Sequence, residues 1–207
     1  MEDISIISNS CVSGYFYKKC NMKYSSPTVW CAINNFMEFC SDLDGYLEKD
    51  LIWLKANFDN NTRIIYPVCT LQDKDGCRDQ NKTDFVEINF IHTNYKSFDK
   101  EKEKWERRKQ RIIKDKIVIF YFLWPVIDYR RSICEYKKLQ DLPFTNKVAF
   151  CLKGQAEKIK QHVTSDIPIF EFNHYYNWWT QLESDDLNGG GINDVIKKTY
   201  DYLNMKQ

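Results

Sequence analysis

The chain has 207 residues, which is enough for one domain with a buried core. Apolar residues make up 43% of it and aromatic residues 15%, with only 7 Gly and 5 Pro, a composition that excludes disordered and collagen-like proteins. Thirty Lys and Arg nearly balance 29 Asp and Glu, and the formal charge of +1 argues against a protein that binds nucleic acid through a broad basic face.

The N-terminal segment predicts a strand and then two loops. Ile4–Ile7 is rich in β-branched residues and runs into the small polar cluster Ser8–Ser10, which indicates a strand ending in a tight loop that turns at Gly14. Pro27 disfavours helical geometry in the residue before it. A second loop is therefore expected soon after the first.

The next part of the chain predicts a helix and then exposed loops. Apolar residues over 36–47 recur at the spacing of one helix face, and Asn35 with Glu38 resembles a capping box. The polar stretch 57–83 predicts loops around a single strand-like run at 63–71.

The rest of the chain alternates strands and helices. Alternating apolar and polar residues over 85–91 predict a half-buried strand with His92 at its end, and the charged segment 97–114 predicts a helix. The later elements are strands at 117–122, 147–152 and 167–172 and helices at 129–139, 156–162 and 192–203. Because parallel strands need crossover connections that helices supply, this order predicts one α/β domain over 1–207, with a mostly parallel sheet flanked by helices in a Rossmann-like three-layer arrangement.

The loop after the first strand is the first place to look for chemistry, because ligands of open α/β sheets bind where strands end. Its hydroxyls, amide and thiol suit hydrogen bonding or nucleophilic attack. Ser8 and Cys11 are therefore catalytic candidates, and Asn9 and Ser10 are substrate-binding candidates. The alternative is that these residues only end the strand and cap the next element of the chain.

His92 is one of three histidines in the chain. Its position just past a strand suits a general base at neutral pH. Together with Cys11 it has the chain order of a thiol nucleophile and its base, although order alone does not show that the two meet. A structural or solvent-exposed histidine is the alternative.

The predicted helix over 97–114 carries a stripe of three cations. Lys104, Arg108 and Arg111 lie at i, i+4 and i+7, where they can hold a diphosphate or carboxylate through charge-assisted hydrogen bonds. Trp105 beside them is expected to anchor the helix on the sheet. The alternative is a solvated charged face, since the helix carries further basic residues.

Other motifs are less informative. Asp73-Lys74-Asp75 has the D-x-D form that holds a divalent ion in many sugar-nucleotide enzymes, but such pairs arise by chance in a chain rich in Asp. We therefore assign no metal ligand, and the metal requirement stays open. The aromatic group at 170–179 suits either sugar rings or a buried edge of the core. No P-loop, H-E-x-x-H or G-x-S-x-G motif occurs.

The start of the chain and the length of its apolar runs predict its localisation. The chain starts with acidic residues, and its longest apolar run, Ile117 to Trp124, is shorter than the ~20 residues of a membrane helix. We expect a cytoplasmic protein without a transmembrane segment, and leave peripheral membrane contact and oligomeric state open. Eight cysteines without a C-x-x-C pattern predict reduced, mostly buried thiols.

A succession of sequence blocks resembles one known family. The blocks are Ile7–Cys11 with Gly14 and Tyr17, Tyr24–Val29, Tyr66–Val68, His92 with Tyr95, and Lys104–Arg108 with Arg111 and Ile112. In this order, over residues 4–155, they resemble the bacterial domain-of-unknown-function family 1919, whose members often lie among genes for capsule, O-antigen or exopolysaccharide assembly. The segment 167–207, with its aromatic residues and last helix, lies beyond this region.

The resemblance implies a role in polysaccharide assembly and marks positions to test. These are Ser8, Asn9, Cys11, Pro27, Thr28, His92, Lys104, Trp105, Arg108 and Arg111, of which Thr28 joins the substrate-binding candidates. The chain departs from the family pattern at Leu123–Val126, where a polar loop with Asp and Arg is expected, while Asp128 and Arg130 are displaced.

A second and more distant resemblance concerns the opening loop. It is similar to a family labelled as putative papain-like cysteine peptidases, which share a Ser-Asn-Cys-like start and an Arg-Arg-x-x-Arg helix. This likeness implies that Cys11 is a nucleophile and His92 its base.

The sequence supports three functional hypotheses. The first is a transferase of cell-surface polysaccharide biosynthesis, a glycosyltransferase whose nucleotide-sugar donor is held by Lys104, Arg108 and Arg111. The second is a hydrolase or acyltransferase that modifies the glycan through Cys11 and His92. The third is a non-catalytic sugar-binding protein. In each case we expect a small-molecule or glycan substrate and no nucleic-acid partner. No cofactor is assigned with certainty; a nucleotide sugar is the donor substrate of the transferase hypothesis, and a need for a divalent metal stays open.

Overall fold

A computed structural model describes residues 3–60, 63–72, 86–123, 129–173 and 191–206. In these ranges the strands are β1 (Ser5–Ser8), β2 (Ala32–Asn34), β3 (Asp50–Asp59), β4 (Ile64–Gln72), β5 (Glu87–Asn89), β6 (Ile117–Phe122), β7 (Asn146–Leu152) and β8 (Ile169–Phe172). The helices are α1 (Val12–Lys19), α2 (Phe36–Ser41), α3 (Leu43–Glu48), α4 (Phe98–Lys109), α5 (Tyr129–Asp141), α6 (Ala156–Lys160) and α7 (Ile192–Met205).

Four strands form a parallel sheet in the order β1-β6-β7-β8. Successive side chains of β6 point to opposite faces: Phe120 and Phe122 pack with α1 and α7, while Ile119 packs on the side of α5 and α6. The parallel sheet with helices on both faces confirms the predicted α/β class.

The other four strands form an antiparallel sheet in the order β2-β5-β4-β3, which the sequence does not predict. Residues 53–58 of β3 are all exposed, so the strand shows no apolar period of two, and a β-bulge between Trp53 and Lys55 interrupts its pairing with β4. The expectation of loops over 57–83 is therefore wrong for 57–59, which belong to β3, and for Gln72 at the end of β4.

One hydrophobic cluster joins the two sheets. It contains residues of the parallel sheet and of the antiparallel sheet: Ile7, Ile119 and Ala149 from the first, and Ile33, Leu51, Cys69 and Ile88 from the second. Because these side chains share one core, the two sheets belong to a single domain.

The loop after β1 is shorter than predicted. Cys11 is already the N-cap of α1, so Gly14 lies inside this helix and the predicted turn there is wrong. A Cβ on Gly14 would lie 2.5 Å from the indole ring of Trp30. The glycine is thus needed for close packing rather than for a turn.

The predicted helix over 36–47 is divided into α2 and α3 at Asp42. The backbone of Asp42 is not helical, and its carboxylate accepts a hydrogen bond from the N–H of Gly45 at 3.2 Å, which caps α3. Asn35 adopts a left-handed conformation with φ 53° and makes no capping hydrogen bond through its side chain, so the predicted capping box does not form.

Side-chain hydroxyls cover the outer edge of β1, the first strand of the parallel sheet. The Tyr17 hydroxyl accepts a hydrogen bond from the N–H of Ile6 at 2.9 Å, and the Thr28 hydroxyl accepts one from the N–H of Ser8 at 3.1 Å. The segment 24–28 therefore takes the place of a neighbouring strand and satisfies backbone groups that an open edge leaves unpaired.

Most of the described cysteines are buried thiols, as the sequence predicts. All seven cysteines among the described residues are free, and five of them are buried. Within the described ranges, no helix has the length and apolar content needed to cross a bilayer.

Asn9 extends the pairing of β1 and β6 by one residue through its side chain. Its amide nitrogen donates to the carbonyl of Phe122 at 2.9 Å, and its carbonyl oxygen accepts from the N–H of the same residue at 2.8 Å. The Asn9→Ala substitution removes both of these buried hydrogen bonds, so we expect the free energy of unfolding to fall by about 3 kcal/mol.

Urea denaturation measures this loss, with Asn34→Ala as the control. Asn34 is exposed and bonds only at the surface with Glu87, so its removal should cost less than about 1 kcal/mol. Equal losses in the two variants would contradict the bridging role of Asn9.

Candidate active site

The structure brings Cys11 and His92 together from opposite sheets. Cys11 lies in the connection between β1 of the parallel sheet and α1. His92 lies after β5 of the antiparallel sheet. The Sγ of Cys11 lies 3.1 Å from the Nε2 of His92. The chain order of nucleophile and base therefore corresponds to a direct contact.

Burial favours the neutral form of both partners. Cys11 is 4% exposed, and desolvation raises the pKa of its thiol above the usual range. Desolvation also lowers the pKa of the His92 imidazole, although the residue as a whole is exposed. At neutral pH the pair is thus a thiol that donates to a neutral imidazole rather than a thiolate beside an imidazolium.

The thiol has a second neighbour in the segment between α1 and β2. Its Sγ lies 3.9 Å from the carbonyl oxygen of Cys31, which is a weaker, alternative acceptor for the single thiol proton. Cys31 is itself fully buried. The thiol is thus located between the imidazole and a backbone acceptor.

Trp30 holds the imidazole against the helix that carries the thiol. Its ring makes edge contacts with His92 and with Tyr15, at centroid distances of 5.5 and 4.9 Å, and also packs on Gly14. Its backbone is left-handed, with φ 65°, which is unusual for a bulky residue and is retained where the surroundings require it.

Asp59, the last residue of β3, adds an acidic group to the site. Its negative charge favours the protonated imidazole of His92 and so opposes the effect of burial on that pKa. Neither Asp59 nor Trp30 was a candidate in the sequence, because neither belongs to a motif and local spacing does not show that they lie near Cys11 and His92.

The hydroxyl residues predicted around Cys11 lie beside it, and most of their described hydrogen bonds are to the backbone, while the Thr28 hydroxyl also bonds the Ser26 hydroxyl at 3.0 Å. Ser8 accepts from the N–H of Ser10 at 3.2 Å, and Thr28 accepts from the N–H of Ser8. All three are nearly fully buried, as is Asn9. Their observed contacts shape the loop that presents Cys11.

The predicted cationic stripe is divided in the structure. Arg108 is 9% exposed, donates to the carbonyl of Val29 at 3.2 Å and stacks over the ring of Tyr24. Lys104 lies 2.6 Å from the carboxylate of Glu101. Arg111 lies beyond the end of α4, which stops at Lys109. Trp105 is fully buried, as expected for an anchor.

A cleft of about 1030 Å³ opens between the two sheets near the candidate pair. Asn9 and Ile33 form part of its wall, together with residues of α2 and α5. Cys11 itself does not line it, but the N–H of Ile33 bonds the carbonyl of Asn9 at 3.1 Å, so the wall includes the chain that leads to Cys11.

Some predicted features lie outside the described residues. These are Asp73-Lys74-Asp75, the aromatic residues from 174 to 179, and 124–126 and Asp128. Within the described part of the chain, no three His, Cys, Asp or Glu side chains are grouped as metal ligands.

The fold and the site define an α/β protein with a thiol–imidazole contact at the carboxyl end of its first strand. The model of the family described as a domain of unknown function, DUF1919, matches residues 1–198. The chain belongs to this family, which confirms the resemblance and extends it beyond residue 155. No curated protein matches the sequence.

The Gly14→Ala substitution tests the packing of Trp30. Alanine normally favours a helix over glycine by about 1 kcal/mol, but its Cβ would lie 2.5 Å from the indole ring. We therefore expect a net destabilisation of about 2 kcal/mol in urea denaturation.

Ser13→Ala in the same helix is the matched control. The Ser13 hydroxyl is fully buried, and no hydrogen-bond partner for it occurs among the described residues, so its loss should leave the stability within about 1 kcal/mol. A Gly14→Ala variant more stable than the wild type would show that Trp30 does not pack as described.

The lowered pKa of His92 predicts a pH dependence of stability. As the pH falls below about 6.5, the unfolded chain binds a proton at this residue before the folded protein does, so the wild type loses stability. The His92→Asn variant should lose less free energy of unfolding between about pH 7 and 5.

Urea midpoints at several pH values measure this effect. His162, which follows α6 and lies outside the candidate pair, supplies the control variant, His162→Asn. If both variants lose as much free energy of unfolding as the wild type between about pH 7 and 5, the His92 imidazole does not contribute to the pH dependence of stability.

Proposed function

We propose that the protein is a thiol-dependent hydrolase or acyltransferase, with Cys11 as nucleophile and His92 as general base. The observation that carries the proposal is the 3.1 Å distance between Sγ and Nε2 across two sheets. The position of Cys11 at the N-terminus of α1 adds to it, because this end of a helix favours negative charge on the attacking sulfur.

The first half of the reaction forms an acyl-enzyme. The thiol proton moves to Nε2 of His92 as Sγ attacks the carbonyl carbon of an ester or amide, forming the C–S bond and an oxyanion. When the carbonyl reforms, the bond to the leaving oxygen or nitrogen breaks, and that atom takes the proton from His92.

The second half releases the acyl group. Water, or an acceptor hydroxyl in a transferase, gives its proton to His92 and attacks the thioester carbonyl. The C–S bond breaks, the acid or the new ester leaves, and the proton returns to Sγ. No oxidant or reductant is needed.

We expect the backbone N–H groups in the first turn of α1 to bind the oxyanion. The first N–H groups of a helix have no partner within it, and such groups stabilise negative charge that develops in the transition state. The N–H of Val12 makes only a 3.5 Å contact with the hydroxyl of Ser10, which a substrate oxygen can replace.

The same geometry gives less support to the glycosyltransferase hypothesis. Holding a diphosphate needs free cations, whereas Arg108 is buried on the carbonyl of Val29 and Lys104 pairs with Glu101. The family resemblance still supports a glycan of polysaccharide assembly as the molecule that carries the acyl group.

The proposal is tested with p-nitrophenyl acetate, an activated ester. Cys11→Ser should lower kcat/KM at least 10³-fold and abolish a burst of p-nitrophenol, and His92→Asn should lower it about 10²-fold. In the wild type, kcat/KM should rise with pH as His92 loses its proton, at a pH below 6.5 because the pKa is lowered.

Cys20→Ser is the control, because this partly exposed cysteine at the C-terminal end of α1 lies outside both the pair and the cleft lining. It should retain wild-type kinetics, and mass spectrometry should locate the acetyl group on Cys11. Retained activity in Cys11→Ser, or acetylation of other residues only, would overturn the proposal.

A further inference from the structure

The cleft between the two sheets is a candidate ligand-binding site in addition to the Cys11–His92 pair. Its volume of about 1030 Å³ lies at the upper end of small-molecule sites, which span roughly 300–1,000 Å³. A cleft of this size suits a ligand of several rings rather than a single small acyl group.

The charge of its described lining does not suit an anion. Glu38, Glu87, Glu135 and Asp141 supply four carboxylates, against the two cations Arg131 and Lys138. Arg131 is already bonded to Glu135 at 3.0 Å, and Glu87 is bonded to Lys55 at 3.0 Å. The other charged side chains of the described lining are Glu38 and Asp141 against Lys138, an excess of one negative charge. A phosphate or carboxylate group would therefore meet net repulsion in this cleft.

The hydrogen-bonding groups of the lining define the ligand further. Ionised carboxylates only accept hydrogen bonds and Lys or Arg only donate them, so the ligand must bring both donors and acceptors. A hydroxyl group is both a hydrogen-bond donor and an acceptor. The half-buried Met37 adds apolar surface against which a sugar ring can pack.

The cleft also lies close to the nucleophile. Asn9, in its wall, is two residues from Cys11, which is at most about 7 Å along the chain. A ligand in the cleft can therefore place one of its substituents at the thiol. This step rests on the proposed function, whereas binding in the cleft does not.

We infer that the cleft binds a sugar chain without negative charge, and that this chain carries the acyl group to Cys11. The carboxylates accept hydrogen bonds from its hydroxyl or ammonium groups, and the cations donate to its oxygens. Anionic sugars and nucleotide sugars are disfavoured by the same carboxylates.

Calorimetry with three tetrasaccharides tests the inference on the full-length Cys11→Ser variant. The ligands are a glucosamine tetramer, which is cationic, its N-acetylated form, which is neutral, and a galacturonate tetramer, which is anionic. The cationic and neutral ligands should bind at least tenfold more tightly than the anionic one.

Carboxylate variants locate the binding. Glu38→Gln combined with Asp141→Asn should weaken binding of the glucosamine tetramer at least fivefold, whereas Glu157→Gln, at an exposed carboxylate outside the cleft lining, should leave it unchanged. Anionic binding as tight as that of the other ligands, no binding of any ligand, or equal effects of the variants would overturn the inference.

The two proposals fail independently. Retained esterase activity in Cys11→Ser overturns the proposed function and leaves binding in the cleft measurable. Absence of glycan binding, in a protein whose esterase activity depends on Cys11, overturns only the inference about the cleft.

Discussion

The rest of the site depends on how the outer edge of β1 is closed. No strand lies there in the described structure; the hydroxyls of Tyr17 and Thr28 pair with the backbone of β1 instead. These bonds hold the segment 24–28 against the sheet, and Arg108 holds the next residue through the carbonyl of Val29. Trp30 and Cys31 come directly after it, so the edge of β1 determines where the neighbours of the thiol lie.

This arrangement explains why the candidate pair is neutral in the free protein. Closing the edge buries Cys11 almost completely, and burial disfavours both the thiolate and the imidazolium. Asp59 and the N-terminus of α1 favour the charged forms. The proposed chemistry therefore couples proton transfer to attack, with His92 accepting the proton as the C–S bond forms.

The contrast between the cations and the thiol shows what sequence patterns can and cannot predict about a site. Helical spacing placed Lys104 and Arg108 on one stripe, but spacing contains no information about burial or partners. In the structure Arg108 supports a loop and Lys104 pairs with Glu101. Cys11 and His92 had chain order and a distant family resemblance in their favour, neither of which shows a contact, yet they are in contact. The contact between the two sheets thus favours this pair over the cations as the candidate site.

The sequence by itself determined the α/β class, the parallel sheet and most of its helices, because β6 is a continuous apolar run, β7 is apolar from Val148 to Leu152, and α7 has a regular apolar face. It also determined the family, through blocks whose order is specific. Only the tertiary structure decided that 50–59 is a strand, that Gly14 lies in a helix under Trp30, and that Cys11 meets His92. The physical reason is that these features depend on contacts between segments far apart in the chain, which local periodicity does not encode.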